Sequence, residues 1–471
     1  NKRIEFISNL RKNILTNMQL IVGEVNKETR KSSGDVLISE IFGVLDHLAY
    51  LENNAKHILA TSKRKTPIAL MGKKSQVSYS PLGVNLVITP WNYPFYQSIV
   101  PITSSFVCGN ATILKPSEVT PLVGLLEHLL IKSGFNKEWI QIVYGDGNTA
   151  KSLIDEKPDK IFFTGSESTG KKILSQAAPQ LIPVDLELGG KDPMIVLPDV
   201  NIKRTAAAAT WGALTNSGQS CTSVEKLYVH ESIYENFKES LIENLANINQ
   251  GTNKHSDFGF MCTANQFNIV IDHIDDAIEK GALVKLFGEI SKDELKIPPV
   301  LIENTTAEMK VNKDETFGPI INLLPYSSSD CVVRELNQEK FGLGASIWSK
   351  NKKLALELAH KLDACSISIN NVMLTEGNHD LPFGGCKKSG FGKIKGPEGL
   401  RSFSILKSIL IDGDSNKMEA NWFPYNNTKY TLFKKMTIGL FKKGMRNKAS
   451  FAINGLTLEH HSQKDFKSDA K

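Results

Sequence analysis

The feature that most constrains the fold is a regular alternation of β-rich and helical runs between residues 85 and 177. The predicted strands are 85–90, 111–116, 139–144 and 160–165, and the predicted helices are 96–108, 121–133, 148–155 and 168–177. Strands and helices that alternate at this spacing predict a parallel sheet covered on both faces. Such sheets bind ligands at the carboxyl ends of their strands, where the strand order reverses.

A second α/β unit is predicted after the glycine pair Gly189 and Gly190 and extends to about residue 395. Its strands are expected near 226–230, 298–302, 321–325, 345–348 and 366–370, with helices at 232–247 and 351–362. Residues 1–60 have helical periodicity. Residues 64–80 are predicted to form a short strand pair, KTPIALMG and SQVSYS, and residues 402–411 a half-buried strand.

Charge is uneven along the 471 residues. Residues 415–471 hold eleven Lys or Arg and four Asp or Glu, which leaves the rest of the chain at −1 out of a total of +6. The main body therefore offers no basic surface for nucleic acid. Residues 430–446 pair lysines with large apolar side chains, which can signal a helix on an anionic membrane. Leu432, Phe433, Met436 and Leu440 would share one helical face, but Ile438 and Phe441 would not, so packing against a partner subunit or disorder is favoured over membrane contact.

The six cysteines lie far apart, without a CxxC pair or a regular spacing. They therefore predict neither a disulfide framework nor a zinc ribbon, and no metal site is expected. A reducing, cytoplasmic setting fits this cysteine usage. No run approaches 18 apolar residues, so no membrane-spanning segment is predicted. The first residues also lack the apolar run of a signal peptide.

Cys221 stands out because its stretch TNSGQSCTS, residues 215–223, contains only small or polar residues. A thiol that attacks a substrate needs a lowered pKa or a base within reach. The histidines lie in ordinary contexts, but LELGGKDP places Glu187 at the end of an apolar strand. A glutamate there is costly unless it is solvated or functional. Glu187 is therefore a candidate base, and a salt-bridge role stays open.

Two further motifs follow predicted strands. In TPWNYPF, the Asn92 amide is suited to donate a hydrogen bond to a developing oxyanion, although an asparagine in a turn before Pro94 is the plainer interpretation. In ILKPSE, Lys115 and Glu118 lie where a dinucleotide fold holds ribose hydroxyls. Solvated loop charges are the alternative for that pair.

The stretch FFTGSESTG combines a strand, a turn and the start of a helix. Gly165, Ser166 and Gly170 in it are expected to bring backbone N–H groups to a phosphate, although the stretch is not a GxGxxG fingerprint. The turn ETFGPI adds one more acid, Glu315.

Taken together, seven motifs resemble the aldehyde dehydrogenase superfamily from about residue 64 to residue 411: TPWNYPF, KPSE, FFTGS, LELGGKDP, SGQSC, ETFGPI and LPFGGCKKSGFGK. The resemblance implies an α/β fold with a Rossmann-like parallel-sheet cofactor domain, a second α/β catalytic domain and a small β oligomerisation arm. The implied bounds are 1–63 with 82–188 for the NAD-binding domain, 189–395 for the catalytic domain, 64–81 with 402–413 for the arm, and 414–471 for the basic tail.

The resemblance also implies a role for each motif residue. Cys221 would be the nucleophile, Glu187 the base, and Asn92 with the Cys221 N–H the oxyanion hole. The cofactor would be held by Lys115 and Glu118 at the adenosine ribose, Ser166 with Gly165 and Gly170 near the diphosphate, Glu315 at the nicotinamide ribose, and Trp91 beside the nicotinamide. Phe383 would line the mouth of the substrate tunnel.

The implied activity is oxidation of an aldehyde to a carboxylic acid through a cysteine thiohemiacetal and thioester. NAD is favoured because Glu118 would repel a 2′-phosphate, while the nearby Lys115 keeps NADP open. With no Arg or Lys cluster at the expected tunnel positions, a hydrophobic aldehyde is favoured. A homodimer or homotetramer is expected. A CoA-acylating dehydrogenase, a crystallin-like binding protein without activity and a thiol esterase stay open.

Overall fold

A computed structural model of the chain describes residues 2–413 and 418–469, apart from the side chains of 464–469. Residue 1 and, in the predicted tail, residues 414–417, 470 and 471 lie outside the described residues. The strands are β1 Ser62–Arg64, β2 Lys74–Pro81, β3 Val84–Ile88, β4 Ala111–Lys115, β5 Ile140–Ile142, β6 Lys160–Thr164, β7 Val184–Glu187, β8 Asp192–Val196, β9 Val224–His230, β10 Leu283–Leu286, β11 Val300–Glu303, β12 Ile320–Tyr326, β13 Gly344–Trp348, β14 Ser366–Ile369, β15 Gly390–Phe391 and β16 Ser404–Ile411.

The helices are α1 Lys2–Thr16, α2 Met18–Thr29, α3 Ser33–Asp35, α4 Gly43–Ile58, α5 Pro94–Val107, α6 Leu125–Lys132, α7 Gly147–Asp155, α8 Glu167–Ala177, α9 Ile202–Leu214, α10 Tyr234–Ala246, α11 Ala264–Glu279, α12 Lys310–Lys313, α13 Ser329–Gln338, α14 Lys352–Lys361, α15 Gly396–Ser402, α16 Asn427–Phe441 and α17 Met445–Asp469. A π-helical segment, Val36–Phe42, connects α3 to α4. The predicted helical character of residues 1–60 is therefore confirmed.

The first sheet has the order β15-β7-β6-β3-β4-β5. Its strands are parallel except β15, which pairs antiparallel with β7. The four strands predicted between residues 85 and 165 are all present. Most of their apolar residues are buried, and β6 is buried on both faces, as expected for a strand covered by helices on each side.

The strand order of this sheet places a switch point between β3 and β6. The chain proceeds from β3 outward to β4 and β5, then returns to lay β6 on the other side of β3. Because the strands are parallel, the residues that follow β3, β4, β6 and β7 meet at one edge. These residues include Asn92, Lys115, Ser166 and Glu187, so the sheet itself gathers most of the candidate residues.

The second sheet has the order β10-β11-β12-β9-β8-β13-β14 and is parallel except for β10. All five strands predicted for this unit are present. Two further strands were not predicted from the sequence: β8, a short apolar run directly after the glycine pair, and β10, an edge strand whose side chains are largely exposed. The predicted α/β fold class is thus confirmed.

A small third sheet has the order β1-β2-β16. The strand predicted at 402–411 is confirmed as β16, and the second predicted strand of 64–80 is confirmed as β2. The first is wrong in position: β1 ends at Arg64, and Ile68–Leu70 form a 3₁₀ turn after Pro67. Proline has no N–H to donate to a strand partner, which disfavours a strand there.

The chain forms two compact units, residues 1–62 with 77–407 and residues 63–76 with 408–471. The first contains both large sheets, and the second contains α16 and α17. The predicted domain bounds stay a prediction. Within the described ranges, no helix has the length and apolar content that crossing a bilayer requires.

Candidate active site

The stretch that carries Cys221 follows α9 through a tight turn, Thr215–Gly218. Asn216 and Ser217 have φ values of 52° and 57°, a left-handed conformation that costs energy in residues other than glycine. The Asp35 carboxylate accepts hydrogen bonds from the Asn216 N–H at 2.7 Å and the Thr215 hydroxyl at 2.8 Å. A buried acid from the amino-terminal helices therefore stabilises the turn that precedes Cys221.

Asn92 lies directly against this turn. Its side-chain N–H₂ donates to the Gln219 carbonyl at 3.1 Å, and its own carbonyl accepts from the Asn216 side chain at 3.0 Å. Its Oδ1 is buried and has no hydrogen-bond partner within the described residues. One of its two N–H hydrogens therefore binds Gln219, and the other is available for a substrate atom.

The glycine pair after β7 packs against two of the candidate residues. A Cβ at position 190 would collide with the Cys221 carbonyl oxygen, and one at 189 would collide with the Glu315 carboxylate. The Gly190 N–H donates to that carboxylate at 3.0 Å. Glycine at both positions thus lets the end of β7, which carries Glu187, come close to Cys221 and Glu315.

Glu187 is a buried acid whose two carboxyl oxygens have no hydrogen-bond partner within residues 2–413 and 418–469. Burial raises the pKa of Glu187 well above its usual value, and the ammonium groups of Lys393 and Lys395 only partly oppose this rise. A Cβ at Gly384 would stand 2.6 Å from Glu187 Oε1, so a glycine is needed there too. An unpartnered buried carboxyl of this kind is suited to accept a proton.

The thiol of Cys221 is surrounded by acids. Burial raises its pKa well above the usual value for cysteine, and the carboxyl groups of Glu376, Asp192, Glu315 and Glu187 raise it further. The resting thiol is therefore protonated near neutral pH. It needs a proton acceptor before it can attack.

Aromatic and acidic groups form a second wall of the site. The rings of Trp91 and Phe317 meet edge to face, with centroids 5.5 Å apart. The Phe317 N–H donates to Glu225 at 2.9 Å, and Glu225 forms a buried ion pair with Lys191 at 2.7 Å. Burial, followed by the neighbouring Glu225 carboxyl, raises the pKa of Glu315 to about 8.

Lys115 and Glu118 form an ion pair at 2.9 Å after β4. The lysine is buried, whereas the glutamate side chain is 54% exposed. Partial burial acts to raise the pKa of Glu118, but hydrogen bonds and the Lys115 ammonium outweigh it and lower the pKa. An exposed, charged carboxylate is thus fixed at the edge of the sheet, where it can accept from hydroxyl groups.

The backbone N–H groups of Gly165 and Gly170 in FFTGSESTG, expected to bind a phosphate, have partners within the protein. The Gly165 N–H donates to the Glu187 carbonyl at 3.0 Å and the Gly170 N–H donates within α8 to the Ser166 carbonyl at 2.9 Å, so neither is free for a phosphate. A Cβ at Gly170 would approach Leu188 to 2.9 Å. Both glycines therefore serve close packing, while Ser166 caps α8.

Phe383 is buried and pairs with Ile394 through two backbone hydrogen bonds of 2.7 and 2.8 Å. This pairing places Lys395, only 4% exposed, with its ammonium 4.9 Å from the centre of the Phe383 ring. The ammonium donates to the Glu376 carbonyl at 2.7 Å, and the Glu376 carboxylate accepts from Thr222, the residue after Cys221. Lys395 and Glu376 were not predicted as site residues. The run GFGKIKG, which follows Phe383 and contains Lys395, was the available signal for the lysine.

The structure thus brings Cys221, Asn92, Glu187 and Glu315 together and places Lys115, Glu118 and Ser166 along the same sheet edge. Among the side chains that the structure describes, in residues 2–413 and 418–463, no group of three or more His, Cys, Asp or Glu is arranged to hold a metal ion.

Comparison with known proteins identifies the family to which this site belongs. The sequence model of the aldehyde dehydrogenase family matches residues 1–409, and the chain belongs to that family of enzymes. It is 41% identical to a 4,4'-diapolycopene aldehyde oxidase of Methylomonas sp over 92% of this chain and 82% of that protein. It is 29% identical to a probable coniferyl aldehyde dehydrogenase of Pseudomonas aeruginosa over 93% and 92% of the two chains.

The fold agrees with solved structures of the same family. The NAD+ complex of an aldehyde dehydrogenase from Bacillus cereus superposes with a TM-score of 0.82, at 28% identity over 87% of this chain and 84% of that one. The substrate-bound AldH of Staphylococcus aureus superposes with a TM-score of 0.84, at 28% identity over 92% and 94%. The predicted family is confirmed.

Proposed function

We propose that this protein oxidises a hydrophobic aldehyde to its carboxylic acid with NAD, through a covalent intermediate on Cys221. The observation that carries the proposal is the meeting of three groups at the Gly189–Gly190 turn: a thiol, an amide donor and an unpartnered buried carboxyl. An aldehyde carbon releases hydride only after it has become tetrahedral and electron-rich. Attack by the Cys221 sulfur forms the C–S bond and makes it so, while the thiol proton passes to solvent water.

The oxyanion formed by this attack requires hydrogen-bond donors. Asn92 offers the N–H that Gln219 does not use, and the Cys221 backbone N–H is the second donor. Because the Asn92 side chain is hydrogen-bonded to the Gln219 carbonyl, two residues before Cys221, it is oriented before the substrate arrives. Such preorganisation is usually the largest single source of transition-state stabilisation.

The residues along the sheet edge fit a dinucleotide. Lys115 and Glu118 would hold the adenosine ribose, Ser166 would lie near the diphosphate, and Glu315 and Trp91 would lie at the nicotinamide end. The buried hydroxyls of Thr89 and Thr164, after β3 and at the end of β6, have no partner within the described residues, which supports a polar ligand there. When bound, NAD supplies the hydride acceptor.

Release of the acid requires water to attack the resulting thioester. Glu187 would accept the proton of that water, and Cys221 would leave as a thiolate. A buried glutamate with a raised pKa is a stronger base than an exposed one, which suits this step.

A hydrophobic substrate is supported by the aromatic rings near Cys221. The Lys395 ammonium lies 4.9 Å from the ring centre of Phe383 and 5.8 Å from that of Tyr96, and it already donates to a carbonyl. Burial also lowers the pKa of Lys395 from its usual value, and the neighbouring Glu376 and Glu187 carboxyl groups act in the opposite direction. The names of the two relatives, a diapolycopene aldehyde oxidase and a coniferyl aldehyde dehydrogenase, agree with a large apolar aldehyde.

Strands β2 and β16 are proposed as the arm of a homodimer or homotetramer.

Replacing Asn92 by alanine is expected to lower kcat by about 10²–10³-fold, because one oxyanion donor is lost. Steady-state kinetics with a saturating aldehyde measures the effect. Asn85→Ala is the matched control, since Asn85 is also buried and hydrogen-bonded but lies at the start of β3. An equal loss of kcat in both variants would indicate a general packing defect.

The proposed activity is tested with long-chain aliphatic, aromatic and acidic aldehydes, each assayed with NAD and NADP. We expect the highest kcat/KM for an apolar aldehyde with NAD, because the charged Glu118 disfavours a 2′-phosphate. No reduced cofactor with any aldehyde would refute the proposal, and a preference for acidic aldehydes would refute its substrate class.

A CoA-acylating dehydrogenase is the alternative reaction. It would use Cys221 and Asn92 but would not need Glu187 as a base for water. Faster turnover on addition of CoA, with the acyl-CoA as product, would favour it.

A further inference from the structure

The helices α16 and α17 form an antiparallel hairpin with unused apolar surface. Gly439 of α16 packs on Asn447 and Phe451 of α17, and a Cβ there would stand 2.6 Å from their backbone atoms. Leu432, Phe433, Met436 and Leu440, which share one face of α16, are partly buried, and Met436 lies 3.6 Å from the position of a Cβ at Gly455 in α17. This face is therefore used for helix packing.

A second apolar set lies on the outside of each helix. In α16 it consists of Tyr430, Ile438 and Phe441, and in α17 of Met445, Ile453 and Leu456, and all six are exposed. Both sets have the spacing i, i+8, i+11, which places each on one face of its helix. Phe441 and Met445, on either side of the turn, are 79% and 87% exposed.

The charged side chains of the hairpin between Tyr430 and Leu458 are all basic. Between Tyr430 and Leu458 the sequence contains no Asp or Glu, but it contains Lys434, Lys435, Lys442, Lys443, Arg446 and Lys448. All six basic residues are exposed, and none makes an ion pair in the part of the chain that the structure describes. The hairpin tip thus combines two protruding apolar side chains with three adjacent cations.

We propose that this hairpin tip docks on an anionic lipid surface. Phe441 and Met445 would enter the boundary between headgroups and acyl chains, while Lys442, Lys443 and Arg446 contact lipid phosphates. A second copy of the chain fits this surface poorly. A two-fold interface through it would bring two sets of cations together without any acid to oppose them.

The test uses the full chain and vesicles of phosphatidylcholine with about 30% phosphatidylglycerol, compared with phosphatidylcholine alone. The wild-type protein is expected to sediment with the anionic vesicles only. The double variant Phe441→Ser/Met445→Ser and the triple variant Lys442→Gln/Lys443→Gln/Arg446→Gln are each expected to weaken this binding at least tenfold.

Matched controls remove the same numbers of groups from exposed positions elsewhere. They are Leu181→Ser/Ile278→Ser for the apolar pair and Lys350→Gln/Lys352→Gln/Lys353→Gln for the charges. We expect both to bind like wild type. Three results would overturn the proposal: no sedimentation with anionic vesicles, equal losses in variants and controls, or tip variants that change the oligomeric mass in sedimentation velocity and leave vesicle binding intact. Because binding is measured without aldehyde or NAD, the outcome is independent of the proposed oxidation.

Discussion

Cys221→Ala is expected to abolish aldehyde oxidation, with a loss in kcat of about 10⁴-fold or more, the order seen when a covalent nucleophile is removed from an enzyme. No other group at the Gly189–Gly190 turn can form the thiohemiacetal, since Asn92 is a donor and Glu187 is placed as a base. Binding of NAD should persist, because Lys115, Glu118 and Ser166 are unchanged. Initial rates and cofactor titration by fluorescence measure the two properties separately.

Cys262→Ala is the matched control for this substitution. Cys262 is also partly buried, but its sulfur lies against the Glu28 carbonyl, away from the glycine turn. It should retain wild-type turnover. If Cys221→Ala kept more than about a hundredth of the activity, another nucleophile would have to be sought.

Glu187→Gln is expected to separate the two halves of the reaction. A single turnover should still give a burst of reduced cofactor, while steady-state kcat falls by about 10²–10⁴-fold, because water is no longer activated at the thioester. Stopped-flow absorbance of the reduced cofactor measures both phases. Loss of the burst together with turnover would show that Glu187 also takes the thiol proton.

The raised pKa of Glu187 predicts how the turnover and the stability of the wild-type protein depend on pH. Wild-type turnover should increase as the pH rises through that value, above the usual range for glutamate, since only the carboxylate can act as a base. The contribution of this group to the free energy of unfolding changes in the opposite direction. The folded protein binds this proton more tightly than the unfolded chain does, so this group costs stability as the pH rises above the usual glutamate pKa.

Glu187→Gln should therefore unfold at the same temperature as wild type in acid and at a higher temperature near neutral pH. Glu28→Gln is the control for turnover, because burial also raises the pKa of Glu28, yet its carboxylate only accepts the Leu122 N–H. A fall in Tm for Glu187→Gln at neutral pH would mean that the carboxylate has a stabilising partner in solution.

The two large sheets could be predicted from the sequence because their strands are buried on both faces. Apolar runs such as KIFFT at β6 are distinct from the helical periods on either side of them. The segment after Arg64 could not be placed in the same way, because alternation of apolar residues suggested a strand and Pro67 disfavoured one. Edge strand β10 was missed since its side chains are mostly exposed and carry no burial pattern.

The candidate residues Asn92 and Glu187 could be located from the sequence because each lies in a short motif near the carboxyl end of a strand, and Cys221 because its stretch holds only small or polar residues. The residues that support them could not, because their partners are remote in sequence. Asp35 binds a turn 180 residues further along the chain, and Glu225 binds Phe317 across 92 residues. Spacing within a motif contains no information about such pairs. Gly170 shows a related limit, since its need for a small side chain arises from Leu188 on a neighbouring strand.

The bond between Asp35 and the turn before Cys221 has a consequence for any shortened form of this protein. A version that began at the first motif-bearing strand would retain every residue that marks the family. The turn before Cys221, however, would lose the Asp35 carboxylate, whose hydrogen bonds stabilise its left-handed backbone. Such a version is therefore expected to keep the motifs but lose activity, which would make the amino-terminal helices part of the smallest active form.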